Sequence, residues 1–476
     1  MRAASLKSIL LGGLLGLISA YTFQFGWYLS CVLPLVLAVV YLSIYHTQGI
    51  FLALALFTPL SINIEEYTEQ FGLFLPTEPL LFGLMLLLLA NQLKTGLGKV
   101  DYKHPFVITL LLYLAWLCIT SITSSHPVVS LKAILSKLWF IVPCFFFVPI
   151  LLTDWRAIRR FFWLFTLGTV LVILYTVVHH AGFAFGEKES HWVMSPFYKD
   201  HTIYGAAVAL VLPFPLVLYF SQRQSPLNTA VLMVFFLIIL TGLYFSYTRA
   251  AWLSVLGALG VLLIVYFRIP FRWVMFVAAI GLFGFIKYGE KIQMELSRNK
   301  VEHTTEAFDE RLKSAANVTT DASNLERINR WACAIEMFKE RPFFGFGLGT
   351  YAFEYAPFQE PENQTIISTN FGDMGNAHSE YLSALSETGI LGLLFLLSFI
   401  GTGFYYLIRL ILDSREVNKS VFVFSCGMLF SLSTYFIHAF LNNFLDTDKA
   451  AVPVFTMFAL TFVLQKFLLA QPKGGI

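Results

Sequence analysis

The residues best suited to chemistry are arginines and a histidine that lie beside long apolar segments. Arg249, in the stretch SYTRAAW (Ser246 to Trp252), is the only charged residue in the apolar run from Leu227 to Phe267. A guanidinium in the middle of a bilayer costs roughly 2.5–3.5 kcal/mol on insertion scales. Near a helix end it can extend to the lipid headgroups. The planar guanidinium can also donate two parallel hydrogen bonds to phosphate oxygens. The alternative to a lipid contact is therefore that Arg249 binds an anion.

His378 precedes another apolar segment, in the stretch GNAHSEYLSALSETGILG (residues 375 to 392). A histidine at a water–membrane boundary can titrate near neutrality and act as a general base. The chain contains ten histidines, and a histidine is more often structural. The distinguishing feature of His378 is that its predicted face of the membrane also contains Arg249 and a helix with Arg327.

That helix is predicted over the segment from Ser323 to Pro342. Ser323 and Glu326 form a capping box, apolar residues recur at helical spacing, and the proline ends the segment. Arg327 and Arg330 lie at neighbouring positions on this helix because they are three residues apart. Both can bind an anion. Pairing with Glu326 is the alternative, and it is favoured more for Arg330 than for Arg327.

Two other patterns are less specific. The stretch FFGFGLGTY, from Phe343 to Tyr351, has alternating glycines, which can form an anion-binding nest or a tight turn. The turn is the safer interpretation. Asp446 and Asp448, and the pair Glu65-Glu66, could be ligands for a hard cation. We expect these acids to be solvated in loops, and we predict neither a metal nor another cofactor.

The composition indicates which kind of fold must position these residues. Hydrophobic residues make up 57% of the chain, charged residues 13%, and the mean hydropathy is +0.71. These values lie far outside the range of soluble globular proteins. Apolar runs recur along the whole chain, which predicts an all-α polytopic membrane protein with about 12–14 transmembrane helices.

The apolar run around Arg249 is too long for one helix. As a single helix it would extend about 60 Å, roughly twice the hydrocarbon thickness of a bilayer. It must therefore form two helices, with the turn near Ser246 to Thr248. This arrangement places Arg249 at the start of the second helix, where free backbone N–H groups add positive potential.

The charges of the connecting segments predict the orientation in the membrane. Lysine and arginine concentrate on one side, from Arg2 and Lys7 to Lys466 and Lys473, and the positive-inside rule assigns that side to the cytoplasm. A loop of about ninety residues in the C-terminal half lies on the other side, because long loops translocate regardless of their charge. We therefore expect an N-terminal transmembrane bundle (1–289), a large periplasmic loop with amphipathic helices (290–388) and C-terminal transmembrane helices (389–476).

Several motifs resemble the O-antigen ligase and O-antigen polymerase superfamily. They are SYTRAAW, R-x-x-x-W (Arg327 to Trp331), PFFGFGLGTY (Pro342 to Tyr351), AHSEYL (Ala377 to Leu382) and ETGILG (Glu387 to Gly392). Together they extend from about Tyr244 to Leu397. The resemblance implies a fold similar to the C-type membrane glycosyltransferases. It also implies a location in the bacterial inner membrane, with an active site that faces the periplasm.

The same resemblance implies a reaction. Family members transfer a glycan from undecaprenyl diphosphate to an acceptor hydroxyl, and the ligase branch is described as metal-independent; we expect inversion at the sugar. His378 matches the family's histidine and would be the general base. Arg249 and Arg327 would neutralise the diphosphate, with Arg330 as a further candidate. Where relatives have another arginine, this chain reads SPFYKDHTIYG, so Lys199 or His201 would have to replace it.

Three functions remain open at this point. The first is a ligase that joins the carrier-linked glycan to lipid A-core. The second is a polymerase, or a ligase with a protein hydroxyl as acceptor, from the same superfamily. The third is a transporter, which is disfavoured because ionisable residues are scarce inside the spans. Membrane lipids are expected partners and nucleic acid is not.

Overall fold

A computed structural model gives the fold of the protein. It describes residue 21 and residues 41–64, 72–95, 102–270, 272–276, 279–280, 283, 287, 322–360 and 375–470. The pair Glu65-Glu66 lies outside the described residues, as do residues 290–321 and 361–374 of the predicted periplasmic loop (290–388). The same holds for the side chain of Ser323, on which the predicted capping box depends.

The described part of the chain is almost entirely helical. Its helices are α1 (Thr47–Leu60), α2 (Thr77–Thr95), α3 (Pro105–Ile122), α4 (Pro127–Ile141), α5 (Val148–Leu151), α6 (Trp155–Ala181), α7 (His201–Val211), α8 (Phe214–Ser221), α9 (Pro226–Tyr244), α10 (Arg249–Tyr266), α11 (Ala322–Glu340), α12 (Tyr351–Glu354), α13 (Glu380–Ser414), α14 (Lys419–His438) and α15 (Asp448–Leu469). A π-helical segment, Val142–Phe146, connects α4 to α5, and short 3₁₀ helices cover Glu189–His191 and Ala356–Phe358. An antiparallel hairpin pairs β1 (Ile62–Asn63) with β2 (Phe74–Leu75), with Ile62 opposite Leu75.

The predicted all-α polytopic class is confirmed. In the residues that the structure describes, nine helical segments are long and apolar enough to cross a membrane. The helices α1 and α2 are apolar but shorter. The expected 12–14 spans also counted apolar runs within residues 1–40 and 271–289, most of which lie outside the described residues.

Local sequence signals explain where the spans begin. Proline is the first residue of α3, α4 and α9, a position where its missing N–H costs no helical hydrogen bond. Asp154, Ser225 and Asn418 precede α6, α9 and α14, and their side chains accept hydrogen bonds from first-turn amides. The polar residues between the apolar runs thus define the helix starts.

An aromatic cluster around Phe106 packs three spans together. Its ring lies 5.3 Å from that of Phe399 on α13, and 5.5 Å and 5.4 Å from those of Phe458 and Phe462 on α15. Gly403 makes this approach possible, because a β-carbon there would lie 2.5 Å from the Phe458 ring. Close packing at small residues is the usual means by which helices associate in lipid.

The basic connecting segments meet at one end of the bundle. Arg415 Nη1 donates to the carbonyl of Tyr266 at 2.9 Å, and Ser420 Oγ donates to the carbonyl of Ser221 at 2.7 Å. The ends of α8, α10 and α13 and the start of α14 are therefore neighbours. Arg249 lies at the opposite end of α10, as the length of its apolar run predicted.

The glycine loop from Phe343 to Tyr351 docks against a kink in α13. Gly389 has φ +70° and ψ −173° within that helix. The N–H of Gly347 donates to the carbonyl of Glu387 at 2.8 Å, just before the kink. A β-carbon on Gly389 would lie 2.1 Å from the carbonyl oxygen of Phe343. The kink and the loop therefore depend on each other.

We expect Gly389→Ala to destabilise the protein by about 1–3 kcal/mol, because alanine is strained at positive φ and its β-carbon meets a backbone carbonyl. Thermal unfolding in detergent measures the effect. Gly401→Ala is the matched control, since a β-carbon at this glycine of the same helix meets nothing within 4 Å. Equal unfolding temperatures for the two variants would contradict the account of the kink.

Candidate active site

His378 lies on the turn that leads into α13, before the helix begins. Its backbone is left-handed, with φ +47°, a conformation that is uncommon for a residue with a β-carbon. The His378 N–H donates to Asn376 Oδ1 at 3.0 Å, and Trp331 Nε1 donates to the His378 carbonyl at 3.3 Å. Contacts from the turn and from α11 thus hold a strained backbone at the predicted base. Strain of this kind is concentrated at functional sites.

Burial and two arginines keep the His378 imidazole neutral. Desolvation is the largest effect, and the positive charges of Arg327 and Arg330 add to it, so the pKa of His378 falls from 6.5 to about 4. Glu326 and a hydrogen bond with Asn442 oppose this shift without cancelling it. At neutral pH the imidazole therefore has a free lone pair, which is the state that a general base requires.

A second histidine, which the sequence did not single out, lies near the turn of His378, because the N–H of Glu380 donates to the carbonyl of Ala439 at 2.9 Å. Asn442 Nδ2 donates to Nε2 of His438 at 3.0 Å, and Asn442 also contributes to the environment of the His378 imidazole. His438 is the last residue of α14 and is 1% exposed. Arg327 acts electrostatically on both histidines. No local sequence signal pointed to this pair, because His438 is the last residue of α14 and Asn442 lies beyond the end of that helix.

Arg249 is the first residue of α10 and is half-buried. The preceding residue is Thr248, whose Oγ1 donates to the carbonyl of His201 at 2.7 Å. Helix α10 packs against α14. The backbone of Ala250 lies at the imidazole of His438. The start of the Arg249 helix is therefore next to the second histidine.

The two residues that were predicted to replace a family arginine have different surroundings. Lys199 is exposed. His201 begins α7, and its ring is stacked on that of His191 with the centroids 4.1 Å apart. Its carbonyl also binds Thr248, as described above. Of the two, His201 is the one that contacts the start of the Arg249 helix.

The two arginines of α11 have different partners. Arg330 Nε donates to Glu326 Oε1 at 2.7 Å, and these side chains are only 6% and 7% exposed. The Arg330 guanidinium lies 4.1 Å from the ring centroid of Tyr355, and a β-carbon on Gly375 would collide with its Nη1. The predicted pairing with Glu326 is thus confirmed for Arg330. Arg327 is less buried than Arg330.

The glycine loop does surround an acidic side chain, which is the chain's own Glu387. The N–H of Tyr351 donates to Glu387 Oε1 at 3.1 Å, and the backbone of Gly349 also hydrogen-bonds to this carboxylate. Gly345, Gly347 and Gly349 all have positive φ. The loop is therefore the predicted tight turn, and these amides are already occupied.

The expectation of two solvated acids at Asp446 and Asp448 is wrong for Asp448. Its carboxylate is fully buried and accepts hydrogen bonds from Ser61 Oγ at 2.5 Å and from Thr77 Oγ1. Asp446 forms an ion pair with Lys137. Hydroxyl donors at neighbouring helix ends thus allow Asp448 to be buried at the start of α15. Within the described residues, no group of three His, Cys, Asp or Glu side chains could hold a metal.

A family model described as O-Antigen ligase matches residues 232–397. The matched segment contains Arg249, Arg327, Arg330 and His378, whereas His438 lies outside it. No curated protein matches the chain. The predicted resemblance to the O-antigen ligase-like superfamily is confirmed, and this is a superfamily of glycosyltransferase-like enzymes. The family implies a lipid-linked glycan and an acceptor as substrates.

The pKa of His378 can be measured by NMR with ¹⁵N-histidine-labelled protein in nanodiscs. We expect a value near 4. Arg327→Gln should raise it, because one of the charges that disfavour imidazolium is removed. Lys339→Gln is the control, since it removes an exposed charge from the same helix that does not act on His378. A wild-type pKa of about 6.5, unchanged by Arg327→Gln, would contradict the proposed electrostatics.

Proposed function

We propose that this protein, a member of the O-antigen ligase-like superfamily, transfers a glycan from a polyprenyl diphosphate carrier to an acceptor hydroxyl. The observation that carries the proposal is the state of His378. It is a neutral, desolvated imidazole next to two arginines, and it lies at the start of a membrane helix within the matched segment. A neutral base beside cations suits a reaction in which a hydroxyl loses a proton and an anion departs.

The proposed step forms one bond to the anomeric carbon, breaks another, and moves one proton from the acceptor to His378. The acceptor oxygen attacks the anomeric carbon, and the bond from that carbon to the diphosphate oxygen breaks. The acceptor proton moves to His378, and the bonding electrons leave with the diphosphate. Attack opposite the leaving group inverts the anomeric centre. A diphosphate needs charge neutralisation rather than protonation, so no acidic partner of His378 is required.

Arg249 and Arg327 are the proposed ligands of the diphosphate. Arg249 is the first residue of α10, so its guanidinium lies at the positive end of that helix. The backbone N–H groups of the first helical turn can bind the same anion. Arg327 lies within electrostatic reach of both histidines, so it can neutralise charge beside the base. Arg330 is held by Glu326. Its Nη1 is nevertheless buried without a hydrogen-bond partner in the described residues, which leaves one donor for substrate.

The donor itself is expected to strengthen the base. A pKa of about 4 makes free His378 a weak base at neutral pH. A bound diphosphate places negative charge beside Arg327 and Arg330, which offsets their effect on the imidazole and raises its pKa. The base would then be strongest when the donor is present, because general-base catalysis is most efficient when the pKa lies near the working pH.

The superfamily and the charge asymmetry support the location that we propose, and the acceptor is proposed from the resemblance to the superfamily. We place the protein in the bacterial inner membrane with the Arg249–His378 end toward the periplasm, and we assign no metal to the reaction. The acceptor we propose is lipid A-core, which makes the protein an O-antigen ligase. A growing glycan would make it a polymerase, and a protein hydroxyl would make it an O-oligosaccharyltransferase.

One reconstitution tests the proposal and its alternatives. Purified protein in liposomes is supplied with undecaprenyl-diphosphate glycan and lipid A-core, and the products are sized on gels. We expect intact chains to appear on lipid A-core. Longer carrier-linked chains would indicate a polymerase instead. If no acceptor is glycosylated and carrier-linked glycan instead moves across the bilayer, the protein is a transporter and the proposed enzyme activity is wrong.

The role of Arg249 is tested by Arg249→Lys. Lysine keeps the charge but cannot donate two parallel hydrogen bonds as the planar guanidinium does. We therefore expect turnover to fall at least about tenfold, with weaker donor binding. Arg268→Lys, at the other end of the same apolar run and exposed, is the matched control and should keep full activity. Near-normal turnover of Arg249→Lys would mean that Arg249 merely reaches the lipid headgroups.

A further inference from the structure

We infer that the tip of the glycine loop, Phe343 and Phe344, is inserted into the lipid leaflet on the side of His378. The tip lies between α11 and α12, and the Phe343 side chain is 65% exposed. Two adjacent exposed aromatic rings on a connecting loop mark a surface that contacts something else. Here that partner is the acyl chains of the membrane, and the inference does not depend on the proposed function.

Helix α3 gives the depth of the tip. Its 18 residues extend about 27 Å, so the helix needs its whole length to cross roughly 30 Å of hydrocarbon. Its last residue, Ile122, therefore lies at the border of the hydrocarbon. Trp116 is six residues before that end, which places it about 9 Å inside. The Phe344 ring stacks on that of Trp116 with the centroids 5.5 Å apart, so the tip lies at a similar depth.

The direction of the loop agrees with this depth. The N–H of Ser125, in the turn that follows α3, donates to the carbonyl of Phe346 at 2.8 Å. Phe346 therefore lies near the border of the hydrocarbon, at the end of the bundle that carries the glycine loop. Phe344, two residues earlier, contacts α3 further inside. The loop thus turns into the membrane at its tip and returns to the border at Phe346.

The residues around the tip face lipid. Leu112 and Ile119 lie about one turn before and after Trp116 on the same side of α3, and both are exposed. On α13, Leu391 and Leu394 directly follow the kink and are exposed as well. Exposed apolar side chains on spanning helices contact acyl chains, which are as apolar as leucine. The tip is therefore continuous with the lipid-facing surface of α3 and α13.

The backbone of the tip is packed on protein, as non-helical backbone at membrane depth must be. The carbonyl of Pro342 accepts from the N–H of Ile390 at 2.9 Å, at the kink of α13. The carbonyl of Arg341 accepts from the N–H of Gly345 at 3.0 Å, which closes the turn. The Arg341 guanidinium lies 4.4 Å from the ring centroid of Phe346, so its charge stays near the border.

Insertion of the tip restrains the helix that precedes it. Helix α11 ends at Glu340, only three residues before Phe343. The last turn of α11 therefore cannot move far from the membrane surface while the tip is in lipid. The same helix carries Arg327 and Arg330, which act electrostatically on His378. The tip thus fixes the depth of these arginines.

The depth can be measured by power-saturation EPR in nanodiscs, with nitroxide labels on a variant whose five cysteines are replaced by alanine. Labels at Ile119→Cys and Leu112→Cys calibrate α3 at about 5 and 15 Å inside the border. The label at Phe343→Cys should lie between them, at about 9 Å. It should collide often with oxygen, which dissolves in hydrocarbon, and rarely with a water-soluble nickel chelate.

Phe353→Cys is the matched control. Phe353 is also an exposed aromatic residue of this region, but its ring lies 5.2 Å from that of His126, which precedes α4. Its label should be accessible to the nickel chelate. Equal nickel accessibility at Phe343 and Phe353 would overturn the inference. Low collision rates of the Phe343 label with both reagents would also overturn it, because another protein would then cover the tip.

Phe343→Asp tests the restraint on α11. A carboxylate is costly in hydrocarbon, so the tip should leave the lipid, and hydrogen–deuterium exchange in the last turn of α11 should become faster. Phe343→Leu stays apolar and should keep wild-type exchange, and the amides of α14 show in each variant that the bundle is folded. Unchanged exchange of α11 in folded Phe343→Asp would contradict the restraint. An inserted tip in a protein without transferase activity would refute only the proposed function.

Discussion

A buried charge in a membrane bundle must be paired or hydrogen-bonded, because neither lipid nor a packed core can solvate it. In this protein such charges hold helix ends together. Glu380 accepts hydrogen bonds from the backbone N–H groups of Phe444 and Leu445 at 2.7 and 2.8 Å, which ties α13 to the loop before α15. Lys449 donates to the carbonyl of Thr58 at 2.7 Å, which ties α15 to the end of α1. The loop before α15 also carries Asn442.

This arrangement divides the ionisable groups into two kinds. The carboxyl groups of Glu380, Glu387 and Asp448 accept hydrogen bonds from backbone amides or hydroxyls, and they act as structural acceptors. Arg327 and the imidazole of His378 lie beside the site that we propose for the donor. A transferase with an anionic leaving group needs such a set, because cations stabilise the departing diphosphate and a carboxylate facing it would repel it.

The sequence predicted the features that depend on local pattern. The start of α10 at Arg249 follows from the length of one apolar run, and the helix carrying Arg327 follows from its apolar periodicity and its proline stop. Pairing of Arg330 with Glu326 was accessible because the two residues are one helical turn apart. Each of these needed only neighbouring residues.

Features that depend on the meeting of distant helix ends were not predicted. His438 and Asn442 become part of the site only because the end of α14 lies against the turn before α13. Asp448 was expected in solvent because its partners, Ser61 and Thr77, are more than 350 residues away along the chain. The periodicity of the sequence does not indicate such contacts, because they form only when the helices pack together.

The central claim is that His378 removes the acceptor proton, and single-turnover transfer from a pre-bound undecaprenyl-diphosphate glycan tests it most directly. His378→Gln should bind the donor as the wild type does but transfer it about 10²- to 10⁴-fold more slowly. The wild-type rate should fall as the pH drops through the pKa of His378 in the donor complex, and the variant should lack this limb. Wild-type transfer by correctly folded His378→Gln, with an unchanged pH profile, would contradict the account.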